Sequence, residues 1–411
     1  MTVRYLRLSD VCEINPRLPR THCLVDDDEV SFVPMAAVDD VSGAIKSAEV
    51  RRFAEVKRGY TSFADGDVLF AKITPCMENG KAALAGDLVG GRGFGSTEFH
   101  VLRAGDQVMP KWLRYFVRRE AFRHDAKRNF TGTAGQQRVP ATFLQNALIP
   151  VPSRAEQQRI VDQLSRAEGV VRLRHQAQQK AAELIPAIFV DMFGDPATNP
   201  KGWPVFPLSA VSDVISGVAK GRDLSADESI ELPYMRVANV KDGRLDLDVV
   251  KTIRIKKTEV ERLRIVPGDL LMTEGGDPDK LGRAALWRGE IDLCVHQNHI
   301  FKVRGRRDRL VPEYLRSLVG SAYGKAYFLS VAKKTTGIAS INKTQLSAFP
   351  VLVPPLAAQE NFKRQVEAVE GIGALQDAAA KKAEATFHSL LARAFTEAGP
   401  QVHREMEKAL A

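Results

Sequence analysis

Two segments of the chain show the same change from an extended to a helical pattern of apolar residues. Residues 144–161, LQNALIPVPSRAEQQRIV, and residues 346–363, LSAFPVLVPPLAAQENFK, each run from an apolar stretch into a proline, and a glutamine follows five residues later. The two copies are offset by 202 residues. A short apolar run predicts a strand and apolar spacings of three and four predict a helix, so each segment is a predicted strand-to-helix junction.

After each junction, apolar and small residues recur at alternating intervals of four and three, which is the pattern of a coiled-coil seam. Two helices of about 38 residues, each ~57 Å long, would follow. Run antiparallel, they set Ala167 against Phe387 and Gln178 against Gln376, so that large faces small and polar faces polar. The residues predicted to form this interface are Ile160, Leu164, Ala167, Val171, Ile185, Ile188, Phe362, Val366, Val369, Phe387 and Leu390.

The repeat continues outside the junctions. FADGDVLFAKITPCMENGKAAL (63–84) resembles IVPGDLLMTEGGDPDKLGRAAL (265–286), and PKWLRYFVRREAF (110–122) resembles PEYLRSLVGSAYG (312–324). A period this long indicates a duplicated domain rather than a solenoid. Within each half, short β-branched segments bounded by Gly, Pro and Asp predict strands, and one helix is predicted to interrupt them.

The predicted fold class is therefore α+β. Two homologous mixed α/β domains would be separated by two long antiparallel helices that form a coiled coil, with pseudo-two-fold symmetry. The predicted limits are 1–152 for the first domain, 153–194 for the first helix, 195–204 for a linker, 205–354 for the second domain, 355–398 for the second helix and 399–411 for a tail.

Composition narrows the class of protein. Hydrophobic residues make up 44% and charged residues 27% of the chain, as in ordinary soluble proteins. The sequence has no apolar run long enough to suggest a membrane span, and its four cysteines show no CxxC spacing. These features favour free thiols in a reducing cytosol and hence a cytoplasmic protein. The net charge of +9 favours a polyanionic partner.

The sequence has little that indicates catalysis. The glycine-rich stretch GGRGFGS (90–96) fits neither a dinucleotide nor a P-loop pattern, so it is interpreted as a loop. The methyltransferase tetrapeptide N/D-P-P-Y/F is absent, and DLLMTEGGDPDK (269–280), superficially nuclease-like, is interpreted as a surface loop. His296 and His299 have no cysteine or acidic partner in phase. We therefore expect a non-catalytic chain that holds no metal or cofactor.

Polar, basic segments remain at equivalent places in both halves. Gln, Asn, Arg and Lys side chains can pair with base edges, Thr and Lys suit phosphates, and a glutamate can accept from cytosine N4. The candidate DNA-binding residues are Lys72, Thr74, Asn79, Lys81, Thr133, Gln136, Gln137 and Arg138 in the first half, and Thr273, Glu274, Lys280, Arg283, Lys333, Lys334, Thr336, Ser340, Asn342 and Lys343 in the second.

Each of these segments, taken alone, also fits an ordinary solvated turn. Because the framework repeats while the polar residues differ, the sequence favours two domains that recognise different sequences on one DNA duplex. A stand-alone DNA-binding regulator or architectural protein, or an unrecognised nuclease or methyltransferase, is left open by the residues themselves.

Over roughly residues 5–398 the chain closely resembles the specificity subunits of type I restriction–modification systems. The motifs that carry the resemblance are PSRAEQ and PLAAQ after the strand ends, the G-D-[VL]-L segments at 66–69 and 268–271, TGTAGQQRV, TTGIASI and MFGDP. Glu360 departs from the pattern, since Gln158 stands at the matching place in the first junction, and Gly371 and Gly373 fall within the second helix.

The resemblance implies two target-recognition domains that each read one half of a split site in double-stranded DNA. It also implies that the helices set the spacer and dock two modification subunits, which bind S-adenosylmethionine and methylate adenine. Restriction subunits that use ATP and Mg would join to cut DNA. This chain would then supply recognition and spacing, without bond-making chemistry or a cofactor of its own.

Overall fold

The computed structural model of the chain describes residues 3–17, 24–133, 136–277, 281–335 and 337–396. The chain divides into two compact units. Unit 1 comprises Met1–Gln176 with Asp377–Ala411, and unit 2 comprises Ala177–Gln376. The domain limits predicted from the sequence stay a prediction.

Unit 1 opens with a mixed α/β region. Its strands are β1 (Arg4–Arg7), β2 (Cys12–Ile14), β3 (Glu29–Val33), β4 (Glu49–Arg52), β5 (Thr61–Ala64), β6 (Val68–Ala71), β7 (Ala82–Leu84), β8 (Arg92–Gly95), β9 (Phe99–Ala104) and β10 (Leu148–Val151). Its helices are α1 (Leu8–Val11), α2 (Phe53–Val56), α3 (Pro110–Arg118), α4 (Glu120–Arg128), α5 (Ala141–Asn146) and α6 (Arg154–Phe193), of which α6 continues into unit 2.

The strands of unit 1 form two four-stranded sheets and one short pair, and a central strand covered on both faces is apolar throughout. The main sheet has the order β2-β9-β6-β7, and all its pairs are antiparallel. Its central strand β6, VLFA, is buried along its whole length, because α3 packs on one face and a second layer lies on the other. The second sheet, β4-β3-β8-β5, pairs β3 with β8 in parallel. The strand β1 pairs with β10, which brings the first strand of the unit to the strand before α6.

Unit 2 repeats this plan. Its strands are β11 (Val205–Pro207), β12 (Ser212–Ser216), β13 (Ser229–Met235), β14 (Lys251–Lys256), β15 (Leu270–Thr273), β16 (Gly275–Gly276), β17 (Ala284–Leu286), β18 (Val295–His296), β19 (Ile300–Gly305), β20 (Lys333–Thr335), β21 (Ile338–Ser340) and β22 (Pro350–Leu352). Its helices are α7 (Leu208–Val211), α8 (Val260–Leu263), α9 (Pro312–Gly320), α10 (Ala322–Val331), α11 (Lys343–Ser347) and α12 (Leu356–Thr396), of which α12 continues into unit 1.

The main sheets of the two units have the same strand order, and the second sheet of unit 2, β14-β13-β18, has three strands where that of unit 1 has four. The main sheet β12-β19-β15-β17 corresponds to β2-β9-β6-β7, and the parallel pair β13–β18 corresponds to β3–β8. The pairing of β11 with β22 corresponds to that of β1 with β10. The α+β class and the duplication inferred from the sequence are therefore confirmed at the level of strand order.

The glutamine of each junction is a buried side chain that hydrogen-bonds the start of the long helix to the mixed region. Gln157 is fully buried; its side-chain amide donates to the carbonyls of Gln107 and Pro152 at 2.9 and 3.0 Å, and its oxygen accepts from the Met109 N–H at 2.9 Å. In unit 2, Gln359 makes the same three bonds, to the Arg309 and Pro354 carbonyls and the Val311 N–H. A buried amide must be fully hydrogen-bonded, so this side chain holds the start of each long helix to its own mixed region.

The G-D-[VL]-L motif is also structural. Asp67 is 1% exposed and accepts two hydrogen bonds from Arg103, at 2.8 and 2.7 Å. Asp269 is fully buried and accepts two from Arg304, at 2.6 and 2.8 Å. A bidentate pair is needed because a carboxylate buried without a partner is costly. The interpretation of residues 269–280 as a surface loop is therefore wrong at its beginning, where Asp269 and β15 belong to the core.

The two long helices pack against each other antiparallel in each unit, as predicted. In unit 1, Ile160 and Leu164 line one cleft with Leu390 and Ala394. In unit 2, the Phe189 ring lies 5.5 Å from the Phe362 ring. Of the predicted interface residues, Leu164, Val171, Phe362, Val366 and Phe387 are buried, and Ile160, Ala167, Ile185, Ile188, Val369 and Leu390 are half-buried.

Two local predictions are wrong. Each half contains a pair of consecutive helices where one was predicted, α3–α4 and α9–α10. The breaks fall at Arg119 and Ser321, whose ψ angles of 140° and 167° are extended; the Ser321 hydroxyl caps α10 by accepting from the Gly324 N–H. The stretch GGRGFGS is a strand over Arg92–Gly95 rather than a loop, and a Cβ at Gly93 would lie 2.2 Å from the Phe63 ring. Glycine is thus required there by close packing.

Candidate nucleic-acid interface

The two polar segments of unit 1 lie side by side. The Thr74 N–H donates to the Gln137 carbonyl at 3.0 Å, and the Val139 N–H donates to the Lys72 carbonyl at 2.9 Å. Arg138 is also bridged to Thr131 on one side and to Ile73 on the other. We call the two bridged segments around Thr131 and Arg138 the ribbon of unit 1, and it lies beside the end of β6. The sequence placed these segments about 60 residues apart, and the sheet brings them into one surface.

Unit 2 builds the same arrangement with a more regular ribbon. The strands β20 and β21 pair with Lys333 opposite Ser340, and β21 pairs in turn with β16. The Ile341 N–H donates to the Glu274 carbonyl at 2.8 Å. A Cβ at Gly275 would lie 2.9 Å from the Ala339 carbonyl oxygen, so glycine permits the close approach of the ribbon.

The charged residues of the unit 1 surface are partly paired. The Arg138 guanidinium donates to both Glu98 carboxylate oxygens, at 2.9 and 2.8 Å, and to the Gln136 carbonyl at 3.1 Å. The hydrogen bond from Arg138 holds the pKa of Glu98 below its usual range, so this pair is ionised. Lys81 donates to the Met35 carbonyl at 3.0 Å, and Lys72 is half-buried at the end of β6.

Unit 2 differs in charge at the matching place. Glu274 accepts from, or shares a proton with, the His299 ring, with 2.7 Å between Glu274 Oε2 and His299 Nδ1. Their side chains are 33% and 56% exposed. Lys333, Lys334 and Lys343 are all exposed along or just after the ribbon. This surface therefore combines the Glu274–His299 pair, whose carboxylate can accept hydrogen bonds, with exposed lysine side chains.

The remaining candidates divide by exposure. Thr273 is 1% exposed and is paired in the sheet opposite Ile300, which corrects the prediction that its side chain contacts DNA. Asn342 caps α11 by accepting from the Gln345 N–H at 2.9 Å. Asn79, Thr133 and Gln136 are exposed, and Thr74, Gln137, Arg283 and Ser340 are half-buried. Lys280 and Thr336 lie outside the described residues.

Two residues of this surface were missed by the sequence reasoning, Glu98 and His299. Each stands immediately before the first residue of β9 or β19 in the main sheet. His299 was judged to have no acidic partner, but its partner Glu274 is 25 residues away along the chain. The sequence feature that could have identified them is the alignment of the two halves. It places Glu98 at the position of His299, and Lys72 at the position of Glu274.

Among the described residues, the structure brings together no group of three or more His, Cys, Asp or Glu side chains that could hold a metal ion. In the same part of the chain, no helix is both long and apolar enough to cross a membrane.

Comparison with known proteins identifies relatives. Residues 2–183 match the family model of the type I restriction modification DNA specificity domain. The type I restriction enzyme EcoEI specificity subunit of Escherichia coli is 39% identical over 163 residues, which are 39% of this chain and 27% of that protein. The EcoAI specificity subunit of Escherichia coli is 40% identical over 155 residues, 38% of this chain and 26% of that protein. The matches thus span about a quarter of the length of these relatives.

Solved structures with a similar fold cover nearly the whole chain. One solved structure concerns complex assembly and conformational transition of the type I R-M system. A chain of that structure has a TM-score of 0.57 to this chain at 21% identity, and the match covers 96% of this chain and 97% of that one. A type I restriction–modification S subunit from M. genitalium has a TM-score of 0.51 at 11% identity, covering 96% of both chains. The resemblance predicted from the sequence is confirmed, and these structures share the fold.

Proposed function

Because residues 2–183 match the family model of the type I restriction modification DNA specificity domain, we propose that this chain is the DNA sequence-specificity subunit of a type I restriction–modification complex. In this proposal each mixed region reads one half of a bipartite site. The observation that carries it is the pair of polar surfaces at matching places: Lys72 and Glu274 occupy the same position in the backbone hydrogen bonding of the two units, yet carry opposite charges. A duplicated scaffold with different contacts suits two different half-sites.

The chain itself would be non-catalytic. Methylation of adenine, with S-adenosylmethionine as methyl donor, would belong to two modification subunits, and ATP- and Mg-dependent cleavage to restriction subunits. The acidic residues that resembled a nuclease pattern support this division, because Asp269 is occupied by Arg304 inside the core. A carboxylate committed to a buried bidentate pair is not available to bind a metal ion.

The long helices supply a surface for the modification subunits. Val170 and Leu173 are 48% and 61% exposed on α6, and we call them the unit 1 helix patch. Ile372 and Leu375, at the same offset of 202 residues, are 53% and 73% exposed on α12 and form the unit 2 helix patch. Single exposed apolar residues are normal, but a pair of aliphatic residues exposed at equivalent positions in both units favours two copies of one partner.

Co-expression in a host free of adenine methylation tests the proposal. The chain is produced with its modification subunit, and the genome is sequenced by a method that detects N6-methyladenine. The expected result is methylation of a single split motif with a fixed unread spacer, absent when either gene is omitted. Methylation that is unchanged by omission of this chain would sink the proposal. Sequence-specific binding by the chain without any such methylation would favour a stand-alone regulator instead.

A further inference from the structure

We propose that three matching positions in each unit form its base-discriminating contact, Lys72, Glu98 and Arg138 in unit 1 and Glu274, His299 and Ser340 in unit 2. We call each set a reading triplet. Unit 1 would present hydrogen-bond donors to a guanine, and unit 2 would present an acceptor to the exocyclic amino group of cytosine or adenine. This assignment rests on the proposed function and adds the residues and the base chemistry to it.

The backbone places the triplets at the same point in the fold. The Lys72 N–H donates to the Glu98 carbonyl at 2.9 Å, and the Glu274 N–H donates to the His299 carbonyl at 3.0 Å. On the other side, the Lys72 and Glu274 carbonyls accept from Val139 and Ile341, the residues that follow Arg138 and Ser340. Each triplet therefore brings three places together. Lys72 or Glu274 follows a core strand, Glu98 or His299 precedes the neighbouring strand of the sheet, and Arg138 or Ser340 lies in the ribbon.

The scaffold beneath the triplets is buried and has the same strand pairing in both units. β6 and β15 are buried along their whole length, and each pairs antiparallel with the strand that follows Glu98 or His299. In unit 1, His100 lies below the surface and its Nε2 is 2.8 Å from the Val139 carbonyl, next to Arg138. Contacts on rigid elements hold a base-pairing geometry better than contacts on free loops.

The chemistry of the triplets is opposite. In unit 1, Glu98 holds the Arg138 guanidinium by two hydrogen bonds, so the group is oriented while 39% of the side chain stays exposed. An oriented guanidinium, or the neighbouring Lys72 ammonium, suits the O6 and N7 acceptors of guanine. In unit 2, His299 holds one carboxylate oxygen of Glu274, and the other oxygen can accept from an amino group.

A phosphate contact does not account for the unit 2 triplet. A carboxylate repels phosphate, and the exposed ribbon lysines Lys333 and Lys334 are better placed by charge for the DNA backbone. Beyond its pairing with His299, Glu274 can contact DNA favourably only through a hydrogen-bond donor of the DNA. The exocyclic amino groups of cytosine and adenine are the donors that duplex DNA offers in the major groove.

The test uses the full chain with its modification subunit and compares Glu274→Gln with the wild type. The expected result is relaxed recognition at one base pair of one half-site, with discrimination at that position reduced about 10- to 100-fold, the range for losing one good base contact. The other half-site and the spacer stay unchanged, which also reports that the variant is folded. Arg138→Gln should relax a guanine in the opposite half-site only.

Glu360→Gln, an equal change of charge at an exposed position on α12, is the matched control and should leave both half-sites unchanged. A uniform loss of affinity for all sequences in Glu274→Gln, an unaltered motif, or a change in both half-sites would each overturn the triplet assignment while leaving the proposed function standing. A wild-type chain that directs no split-motif methylation would overturn the proposed function and the assignment with it. Should Glu274→Gln lower the yield of soluble complex, His299→Gln reports on the same base pair.

Discussion

At the scale of single residues, the repeated glutamine is the side chain that makes each junction specific. Gln157 and Gln359 are both fully buried and satisfy the same set of two carbonyls and one N–H. An apolar residue of similar size would leave these backbone groups without partners, which costs more than the hydrogen bonds themselves contribute. The spacing of five residues after the proline places the side chain back over the strand end.

The Gln157→Ala variant tests this role. We expect unit 1 to lose about 2–4 kcal/mol of unfolding free energy, because three hydrogen bonds disappear and a buried N–H loses its acceptor. Chemical denaturation and hydrogen exchange of the Met109 amide measure the change. Gln158→Ala is the control, since Gln158 is exposed and bonds only to Asp162 among the contacts described; it should stay within about 0.5 kcal/mol of the wild type. Equal losses in both variants would contradict a special role for Gln157.

At the scale of elements, each long helix has two apolar faces. One face carries the seam with the other helix, and a second packs on the mixed region: Phe387 and Phe395 lie against Tyr115 and Trp112, with ring centroids 6.3 and 4.2 Å apart. Ion pairs repeat the attachment, with Arg114 bound to Glu168 and Arg316 bound to Glu370. A helix held on two sides leaves only a narrow face for a partner, and that face carries the exposed helix patches.

The Leu375→Asp variant tests the unit 2 helix patch. A charge at a docking contact should weaken binding of one modification subunit by 2 kcal/mol or more, about 30-fold, as for an interface hot spot. The complex should then contain one modification subunit in place of two, measured by native mass spectrometry, and Leu173→Asp should remove the other. Ala374→Asp, on an exposed neighbour outside the patch, should leave the stoichiometry at two. Full binding by Leu375→Asp would refute docking at this face.

At the scale of the whole molecule, the duplication implies that recognition is modular. The reading triplet of unit 1 lies within residues 72–138, so all of its residues come from the first mixed region. The attachment of the first long helix through Gln157 also depends on that region, because the side chain of Gln157 is hydrogen-bonded to the Gln107 carbonyl and the Met109 N–H. A transplanted domain must therefore bring matching backbone groups to this junction.

If the proposed function holds, replacement of residues 1–150 by the first domain of a type I specificity subunit should change one half-site and leave the other half-site and the spacer as they were. The physical reason is that the second triplet and both helix patches are untouched. Methylome sequencing of the chimera with the modification subunit measures both half-sites at once. A chimera that altered both would contradict independent reading by the two units.

The sequence by itself determined the fold class, the duplication, the long antiparallel helices and the regions of the polar surfaces. These follow from apolar periodicity and self-similarity, which are properties of the order of residues along the chain. Only the tertiary structure decided which side chains meet. Glu98 reaches Arg138 across 40 residues and Glu274 reaches His299 across 25, because sheet register sets these contacts. The same register buries Thr273 and Asp269, whose local sequence had suggested exposure, since a residue's depth depends on what packs above it and not on its neighbours in sequence.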